Sequence, residues 1–457
     1  MKQFRIISNE DGFSIALVLA ASIVLISLGV ILAQLAVTNI GFDLHEQRSA
    51  TAMNIAEAGV NYYMWHLSHN TTDYQDGTGA PASPPYGPYV HNYYDTDGKL
   101  IGTFTLTITP PVAGSTVTTV KSVGAVTGLK ATRDIQAQLG IPSFASYALL
   151  TNSEVWFGST ESSNGPVMSN VGVHFDGTNN GPVTAAVSTY VPSASYGGDG
   201  NTHNGVWGNG GPTSEWQFPV PSVDFNSVTA NLSTLQTAAQ SGGVYLASLG
   251  SFNSKRGYYL VLKNNGTIDE YKVTNESSGG ITTTFIKNQA APGNGILYVA
   301  DNVWVSGTYN GRITIASGRL PQNSSTNTTI KITNNLLYTA KDGTVSIGLI
   351  AQQDIQLAQY VPNNMEIDAA LLAQNGSVYM PYYNQLLGTL TFYGALATNG
   401  SWTWNYCSFI GQNCVVNSGY ASDTNTFDSN LLYSPPPSFP TTGSYTILNW
   451  RELLSGP

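Results

Sequence analysis

The chain has 457 residues, and 10% of them are charged, whereas a typical soluble domain has about 25%. The 17 Lys and Arg against 27 Asp and Glu give a net charge of −10, which excludes a nucleic-acid-binding protein. A hydrophobic content of 42% excludes a disordered acidic tail, and the composition also excludes a long coiled coil. The 47 Gly and 22 Pro indicate a large, turn-rich, mainly β protein with two or three domains.

The cations are unevenly distributed. None lies between Arg133 and Lys255 or between Lys341 and Arg451. Because cytosolic surfaces are usually rich in interspersed charge, this pattern predicts an extracellular location. In an oxidising compartment Cys407 and Cys414 are candidates for one disulfide that closes a short loop. Two free buried thiols are the alternative.

The N-terminal region predicts a membrane anchor. Residues 13–42 contain no charged side chain and exceed the roughly 20 residues that a membrane-spanning helix needs. Lys2 and Arg5 precede this run and predict a cytoplasmic N-terminus, with the bulk of the chain outside the cytoplasm. A cleavable secretion signal fits less well, because the run is long and no A-x-A site ends it. A plain signal anchor remains an alternative.

The junction before the apolar run carries a more specific pattern. Gly12 directly precedes Phe13 and Ser14, and the cations lie further back. This arrangement resembles the class III signal of type IV pilins and of the pseudopilins of type II secretion. The resemblance implies that a prepilin peptidase removes residues 1–12 after Gly12 and that Phe13 is then N-methylated. It also implies other pilin subunits and the pilus assembly machinery as partners, and a final location on the cell surface or in a pilus.

One position departs from that family. The fifth residue after the junction is usually Glu, and here it is Leu17. In the family this Glu is thought to pair with the terminal amine of a neighbouring subunit, and a buried amine without a carboxylate partner is costly. The resemblance therefore favours a minor or tip subunit over a major pilin.

The helical pattern continues through residues 43–69 and predicts one helix of about 85 Å over 13–69. Its part at 52–63 resembles the corresponding segment of PilX-type minor pilins, and 43–69 is expected to pack on a globular head. Glu57 is interpreted as a solvated carboxylate on this helix rather than a catalytic group.

A small antiparallel β-meander is predicted for residues 70–142. A loop rich in Gly and Pro at 70–90 leads to a hairpin turn at Asp95–Gly98, and strands are expected at 102–108, 117–123 and 132–139. A helix followed by such a meander is the shape of a pilin head.

The region 143–434 has short apolar runs separated by Gly and Asn, first over 148–186 and again from about 296 to 393. A parallel β-solenoid is predicted, and a β-sandwich is the alternative. An irregular insertion is expected at about 215–290, with a helix at 225–240 and a hairpin at 257–275. The last segment, 435–457, is rich in Pro and aromatic residues and contains a strand at 445–450.

The region from about 296 onward resembles, diffusely, the solenoid segments appended to PilX-like proteins. The predicted fold class is therefore α+β and mainly β, with a long N-terminal helix, a small antiparallel head and a large β-rich domain.

Residues suited to catalysis are few. The His residues lie at 45, 66, 69, 91, 174 and 203, outside the main block of apolar runs from about 296 onward, so a zinc site or a Ser-His-Asp triad is not expected there. His174 with Asp176, and His66 with His69, are interpreted as structural or solvated pairs. The best candidate for a carboxylate cluster is Asp354, Glu366 and Asp368. However, 342–450 contains no Lys or Arg that could act as the proton acceptor of a polysaccharide lyase. We expect no catalytic residue, no metal and no cofactor.

Aromatic residues are concentrated late in the chain and form a candidate surface for a glycan or another surface ligand. They are Tyr379, Tyr382, Tyr383, Tyr393, Trp402, Trp404 and Tyr406. The alternative is that they merely cover the faces of the solenoid. Together these patterns predict a non-enzymatic, minor pilin-like subunit that displays a β-rich region for adhesion. A membrane-anchored carbohydrate-active enzyme acting on an acidic glycan and a plain signal-anchored surface protein are the alternatives.

Overall fold

The computed structural model of the protein describes residues 10–79, 83–111, 117–128, 131–159, 161–196, 198–410, 413–443 and 445–453. These residues form two compact units. The small unit comprises the described residues of 1–109, 119–137 and 449–457, and the large unit comprises those of 110–118 and 138–448.

Two α-helices are present among the described residues: α1 (Glu10–His69) and α2 (Ser227–Gly242). The 60 residues of α1 correspond to about 90 Å, so the predicted continuous helix is confirmed. The helix continues through Gly29 and Gly41 without a break. Short 3₁₀ turns lie at Phe144–Ser146, Ala194–Tyr196, Thr213–Glu215, Ser324–Thr326 and Ser429–Leu432.

The strands account for most of the remaining regular structure. The first fifteen are β1 (Tyr86–Tyr94), β2 (Leu100–Thr109), β3 (Thr118–Val126), β4 (Thr132–Gly140), β5 (Leu149–Thr151), β6 (Val155–Phe157), β7 (Ser162–Ser163), β8 (Val167–Ser169), β9 (Val173–Phe175), β10 (Thr178–Asn179), β11 (Val183–Ala185), β12 (Thr189–Tyr190), β13 (His203–Asn204), β14 (Val206–Trp207) and β15 (Trp216–Gln217). After α2 follow β16 (Val244–Leu246), β17 (Gly257–Leu262), β18 (Thr267–Ser277), β19 (Gly280–Ala290), β20 (Ile296–Val299), β21 (Asn302–Tyr309), β22 (Arg312–Ser317), β23 (Ile330–Tyr338), β24 (Ser346–Ala351), β25 (Ile355–Leu357), β26 (Met365–Ala373), β27 (Val378–Tyr379), β28 (Leu386–Thr398), β29 (Trp402–Thr403), β30 (Asn405–Ile410), β31 (Asn413–Phe427) and β32 (Thr446–Leu453). The predicted class, α+β and mainly β, is confirmed.

The small unit contains a five-stranded sheet in the order β1-β2-β3-β4-β32. The β1–β2 and β2–β3 pairs are antiparallel, as the predicted meander requires. Along β2 and β3 every second residue is buried, which is the pattern of a sheet with one covered face. The fifth strand was predicted as a strand at 445–450, but its place beside β4 was not anticipated.

The C-terminal half of α1 covers that buried face through close packing at glycines. A Cβ added at Gly124 would lie 2.1 Å from the carbonyl oxygen of Ala52 and 2.5 Å from the backbone nitrogen of Ala56. One added at Gly59 would lie 2.9 Å from the Phe104 ring. The helix backbone therefore touches the sheet, and no side chain larger than hydrogen fits there. The buried residues on this helix face are Ala52, Ile55, Ala56, Val60, Tyr63 and Leu67.

Parallel ladders build the large unit, and they link into one closed sheet system. The strands β20, β22, β24, β26 and β28 pair in parallel and in register, each with the next. A second ladder joins β17, β21, β23, β25, β27 and β29 in the same sense. This is the pairing that the predicted solenoid requires, whereas the alternative β-sandwich is built from antiparallel sheets.

The order of strands along the first ladder departs from the order along the chain. Strand β28 pairs with β5, which pairs with β8, then β11 and then β15. The strands at 149–217 therefore stack on β28, the last strand of the later set. At the other end of the ladder β16 pairs in parallel with β20, which makes ten strands. One interior row of side chains runs through all ten: Val244, Leu297, Ile315, Leu349, Leu371, Leu396, Leu149, Val167, Val183 and Trp216.

Helix α2 connects the two ends of this ladder. Its residues Val228, Leu232 and Leu235 are fully buried in an apolar cluster that is separate from the interior row. Tyr298 and Ile350, which lie on ladder strands, belong to the same cluster. The region predicted as an irregular insertion at 215–290 thus contains helix α2, three ladder strands (β15, β16 and β17) and the antiparallel ribbon β17–β18–β19. The predicted helix and hairpin are both present.

Candidate functional site

The N-terminal half of α1 exposes an apolar surface. Its described large hydrophobic side chains from Ile15 to Phe42 are all exposed, and Leu17 is 59% exposed. Within the part of the chain that the structure describes, α1 is long and apolar enough by length and composition to cross a membrane. Gly12 and Phe13 lie in the helical backbone of α1, but their side chains are outside the described part. Cleavage after Gly12 and N-methylation of Phe13 therefore stay predictions.

The predicted carboxylate cluster is divided in the structure. The Lys341 ammonium lies 2.8 Å from Glu366 and 2.8 Å from Asp368, and Asp368 is 1% exposed. Burial raises the pKa of Asp368, while Lys341 and the backbone N–H of Tyr338 oppose that rise. Asp368 is thus neutralised inside the fold by a cation that immediately precedes the cation-free stretch.

The third carboxylate of that cluster has partners of its own. Asp354 accepts hydrogen bonds from the backbone N–H of Ser377, at 2.8 Å, and from the amide of Gln356, at 3.3 Å. Burial raises the pKa of Asp354. The three carboxylates therefore do not converge on one open site.

The histidines of the small unit serve its fold. His66 Nε2 lies 3.1 Å from Asp73, and His91 Nε2 lies 2.7 Å from Asp76. The ring Nδ1 of His69 contacts the carbonyl oxygen of Trp65 at 2.8 Å rather than His66. Among the described residues, no group of three or more His, Cys, Asp and Glu is arranged to hold a metal ion.

In the large unit, His174 belongs to an aromatic stack. Its ring stacks on Trp207 at 3.9 Å and on Trp156 at 5.8 Å between ring centroids, and His203 stacks on Trp207 at 3.6 Å. The in-register strands β6, β9 and β14 place these rings over one another. The predicted pair of His174 with Asp176 is present at 3.2 Å.

A cavity of about 930 Å³ opens near the place where β5 pairs with β28. Its walls come from residues within 148–159 and 161–164 on one side and from β28, 402–405 and β31 on the other. We call it the junction cavity. The described residues that line it are Ala148, Leu149, Trp156, Phe157, Gly158, Ser159, Glu161, Ser162, Ser163, Asn164, Phe392, Gly394, Leu396, Trp402, Asn405, Val416, Ala421, Ser422, Asp423, Thr424, Asn425, Thr426 and Phe427.

Two carboxyl groups stand in the junction cavity. The Glu161 side chain lies between the cavity walls and is exposed to the solvent in the cavity. Desolvation raises the pKa of Glu161 to about 7, and the charge of Asp423 adds to the rise. The backbone N–H of Gly158 donates a hydrogen bond to Glu161 at 2.9 Å and opposes this rise in pKa. Desolvation likewise raises the pKa of Asp423, which accepts hydrogen bonds from the amides of Asn425 and Asn405.

Two tryptophans contribute to the apolar part of the cavity wall. Trp156 and Trp402 are partly buried, and Phe157 packs against Trp402 with ring centroids 6.0 Å apart. The indole N–H groups of both tryptophans are buried and have no hydrogen-bond acceptor among the described residues. Unpaired buried donors are uncommon in folded proteins, which marks this wall as unusual.

The aromatic cluster predicted from the sequence does not form one surface. Trp402 lines the junction cavity, and Trp404 is buried beside it, where its indole N–H donates to Asn425 at 3.0 Å. The others lie apart from the cavity lining: Gln356 donates to Tyr379, Tyr383 donates to a backbone carbonyl, Tyr393 donates to Asp428, and the exposed Tyr382 meets Tyr406 edge to face. Trp156, Glu161 and Asp423 were missed, because no local pattern shows that residues near 160 and near 423 meet.

The predicted cysteine pair lies on one hairpin. Strands β30 and β31 are antiparallel, with Cys407 opposite Val416 and Cys414 opposite Phe409. The side chain of Cys414 is outside the described part, so the Cys407–Cys414 bond stays a prediction.

Comparisons with known proteins do not assign the chain to a family. No protein-family model and no curated protein matches the chain. Among solved structures, the chain is similar to the competence-associated pilin ComZ from Thermus thermophilus, with 14% identity over 90% of this chain and 98% of that one. The TM-score is 0.29, which is too low to establish a shared fold.

Proposed function

We propose that the chain is a minor, pilin-like subunit of a surface filament and that its large unit is displayed for contact with a surface or a glycan. The observation that carries the proposal is the long helix α1. Residues 13–42 of this helix carry no charged side chain and their described large apolar side chains are exposed, whereas one face of residues 52–67 is buried on an antiparallel sheet. Such a helix can reside in a membrane and can later pack among other helices, while the sheet stays outside.

The junction at Gly12 and Phe13 supports the same proposal, because its position before the apolar run is that of a prepilin peptidase site. Mass spectrometry of the protein from cells that contain a prepilin peptidase tests this step. We expect the mass of residues 13–457 with one added methyl group. An intact Met1, or cleavage far from Gly12, would contradict the proposal.

Leu17 supports a position at a filament end, where no neighbouring amine needs a carboxylate. In labelled sheared filaments we expect the wild-type protein at the ends. Leu17→Glu supplies a carboxylate and should move label along the shaft, whereas Val18→Glu, the matched control, should not. Protein that stays in the membrane fraction would indicate the plain signal-anchored alternative.

The alternative of an enzyme for acidic glycans receives less support. It requires Asp354 or Asp368 as a working group, but Asp368 is buried against Lys341 and Asp354 is held by Ser377 and Gln356. Depolymerisation of an acidic glycan that is lost in Asp354→Asn would revive it.

A further inference from the structure

We propose that the junction cavity binds a neutral oligosaccharide. The proposal rests on the display function for its biological role, whereas the binding itself is a property of the large unit. It assigns a class of ligand to the residues that line the junction cavity, which the aromatic pattern of the sequence did not identify as one site.

The aromatic walls suit the apolar face of a sugar ring. Indole rings offer flat surfaces on which the C–H groups of a sugar can stack, and Trp156 and Trp402 both line the cavity. Both rings are held by neighbouring aromatics: Trp156 stacks with His174, while Trp402 packs against Phe157 and meets Trp404 edge to face at 6.3 Å. Rings that are already fixed lose little conformational entropy when a ligand binds.

The polar walls suit sugar hydroxyl groups. Asn164, Asn405 and Asn425 present amides, which donate and accept hydrogen bonds, and exposed Ser159 and Ser422 add hydroxyls. Existing contacts orient these amides. Asn164 accepts from the backbone N–H of Phe427 at 2.8 Å, and Asn425 accepts from Trp404 while it donates to Asp423. Small-molecule sites characteristically combine an apolar wall with a few fixed polar groups in this way.

The charge of the cavity selects against anions. Among the described residues that line it none is Lys, Arg or His, and two are carboxylic acids, Glu161 and Asp423. A phosphate or a uronic acid would therefore meet repulsion with no compensating cation. The volume of about 930 Å³ lies within the range of roughly 300–1,000 Å³ for small-ligand sites, so several sugar rings fit the available space.

Calorimetric titration of the purified full chain in detergent tests the proposal. The probes are the hexasaccharides of cellulose, maltose and chitin, with hexagalacturonate as the acidic arm and spermine as the cationic arm. We expect at least one neutral hexasaccharide to bind and hexagalacturonate not to bind. Failure of all three neutral probes, or binding of spermine or hexagalacturonate alone, would overturn the proposal.

A filling variant locates the binding. Gly158 lines the cavity, and a Cβ there meets no atom within 4 Å, so we expect the side chain of Gly158→Leu to enter the cavity and leave the fold intact. We expect a loss of at least tenfold in affinity. Gly279→Leu is the matched control, because Gly279 is exposed on the turn between β18 and β19 and also has free space around it. Equal affinities for the two variants would sink the assignment.

A second pair of variants removes charge without changing shape. Glu161→Gln should change the affinity several-fold, and Glu215→Gln, an exposed glutamate outside the cavity, should not. An unchanged affinity in Glu161→Gln would contradict a role of this carboxyl group in the site. Because binding is measured on purified protein, its failure leaves the filament experiments unaffected, and a protein absent from filaments can still bind the sugar.

Discussion

The small and the large unit bury their apolar surface in different ways. In the small unit one helix lies directly on one sheet, and glycines at 59 and 124 permit backbone contact. In the large unit ten strands contribute one residue each to an interior row of mostly branched aliphatic side chains. The first arrangement depends on a few close contacts, whereas the second repeats the same contact many times. A single substitution at such a close contact in the small unit should therefore be more damaging than one in the repeated row of the large unit.

The largest effect is expected for Gly124→Val. The added Cβ would lie 2.1 Å from the backbone of Ala52, and neither the helix nor the sheet can move aside, so we expect a loss on the order of 4 kcal/mol or more in the stability of the small unit. Hydrogen exchange resolved by peptide should show β2 and β3 unprotected and β24 unchanged. Gly158→Val, at a glycine with free space around it, is the control. Normal protection of β2 would refute the close-packing argument.

A smaller effect is expected for Leu349→Ala in the interior row. Leu349 is fully buried between Ile315 and Leu371, and its truncation should cost about 2–5 kcal/mol. Exchange should rise most in β22, β24 and β26 and leave β2 protected. Leu386→Ala is the control, because Leu386 is 56% exposed. Uniform loss of protection over both units would show that their stabilities are not separate.

A third test uses pH in the small unit. Burial raises the pKa of Asp73, but the N–H groups of Gln75 and Gly77 and the His66 side chain outweigh it, so the pKa lies below its ordinary value. A lowered carboxyl pKa stabilises the fold above the unfolded value, and that contribution disappears as the pH falls through the folded value. Asp73→Asn should therefore lower stability by about 1 kcal/mol at pH 7 and by much less in strong acid.

Thermal unfolding across pH measures this difference for the Asp73 variant. Asp97→Asn removes an exposed turn carboxylate and serves as the control. A deficit that is the same at every pH would assign the Asp73 contribution to packing rather than charge.

The smallest effect, opposite in sign, is expected in the large unit. Desolvation raises the pKa of Glu161 from 4.5 to about 7, so the folded state holds more protons than the unfolded state between these values. Stability should then fall as the pH rises through this window. Glu161→Gln should remove that dependence and unfold at a slightly higher temperature than the wild type at pH 8. A wild-type unfolding temperature that does not fall relative to the variant between pH 4.5 and 7 would contradict the raised pKa.

Local patterns in the sequence predicted local structure well. The period of α1, the turn at Asp95–Gly98 and the run at Ile355–Leu357 each depend on neighbouring residues, and each is present. Strand β19 was missed because nearly all of its residues are exposed, so no alternation marks it.

Partners distant in the chain could not be predicted. Alternation at 445–450 indicates a strand but not that β4 is its neighbour. The apolar runs at 148–186 and 296–393 indicate strands in coils but not that β5 follows β28. The junction cavity exists only because β5 pairs with β28. Apart from Trp402, its residues were therefore not recognisable from the sequence as parts of a binding site.

The pairing of β28 with β5 also constrains how the chain folds during synthesis. Thr151 bonds to the carbonyl of Gly400, which is 249 residues later in the chain. Strands β5, β8 and β11 are therefore translated long before the strand that completes their ladder, and one of their edges must wait with unpaired backbone groups. Because closure over such a separation is entropically slow, we expect a long-lived, aggregation-prone nascent state. The small unit waits longer still, since Arg133 finds its partner Glu452 only after β32 has been made.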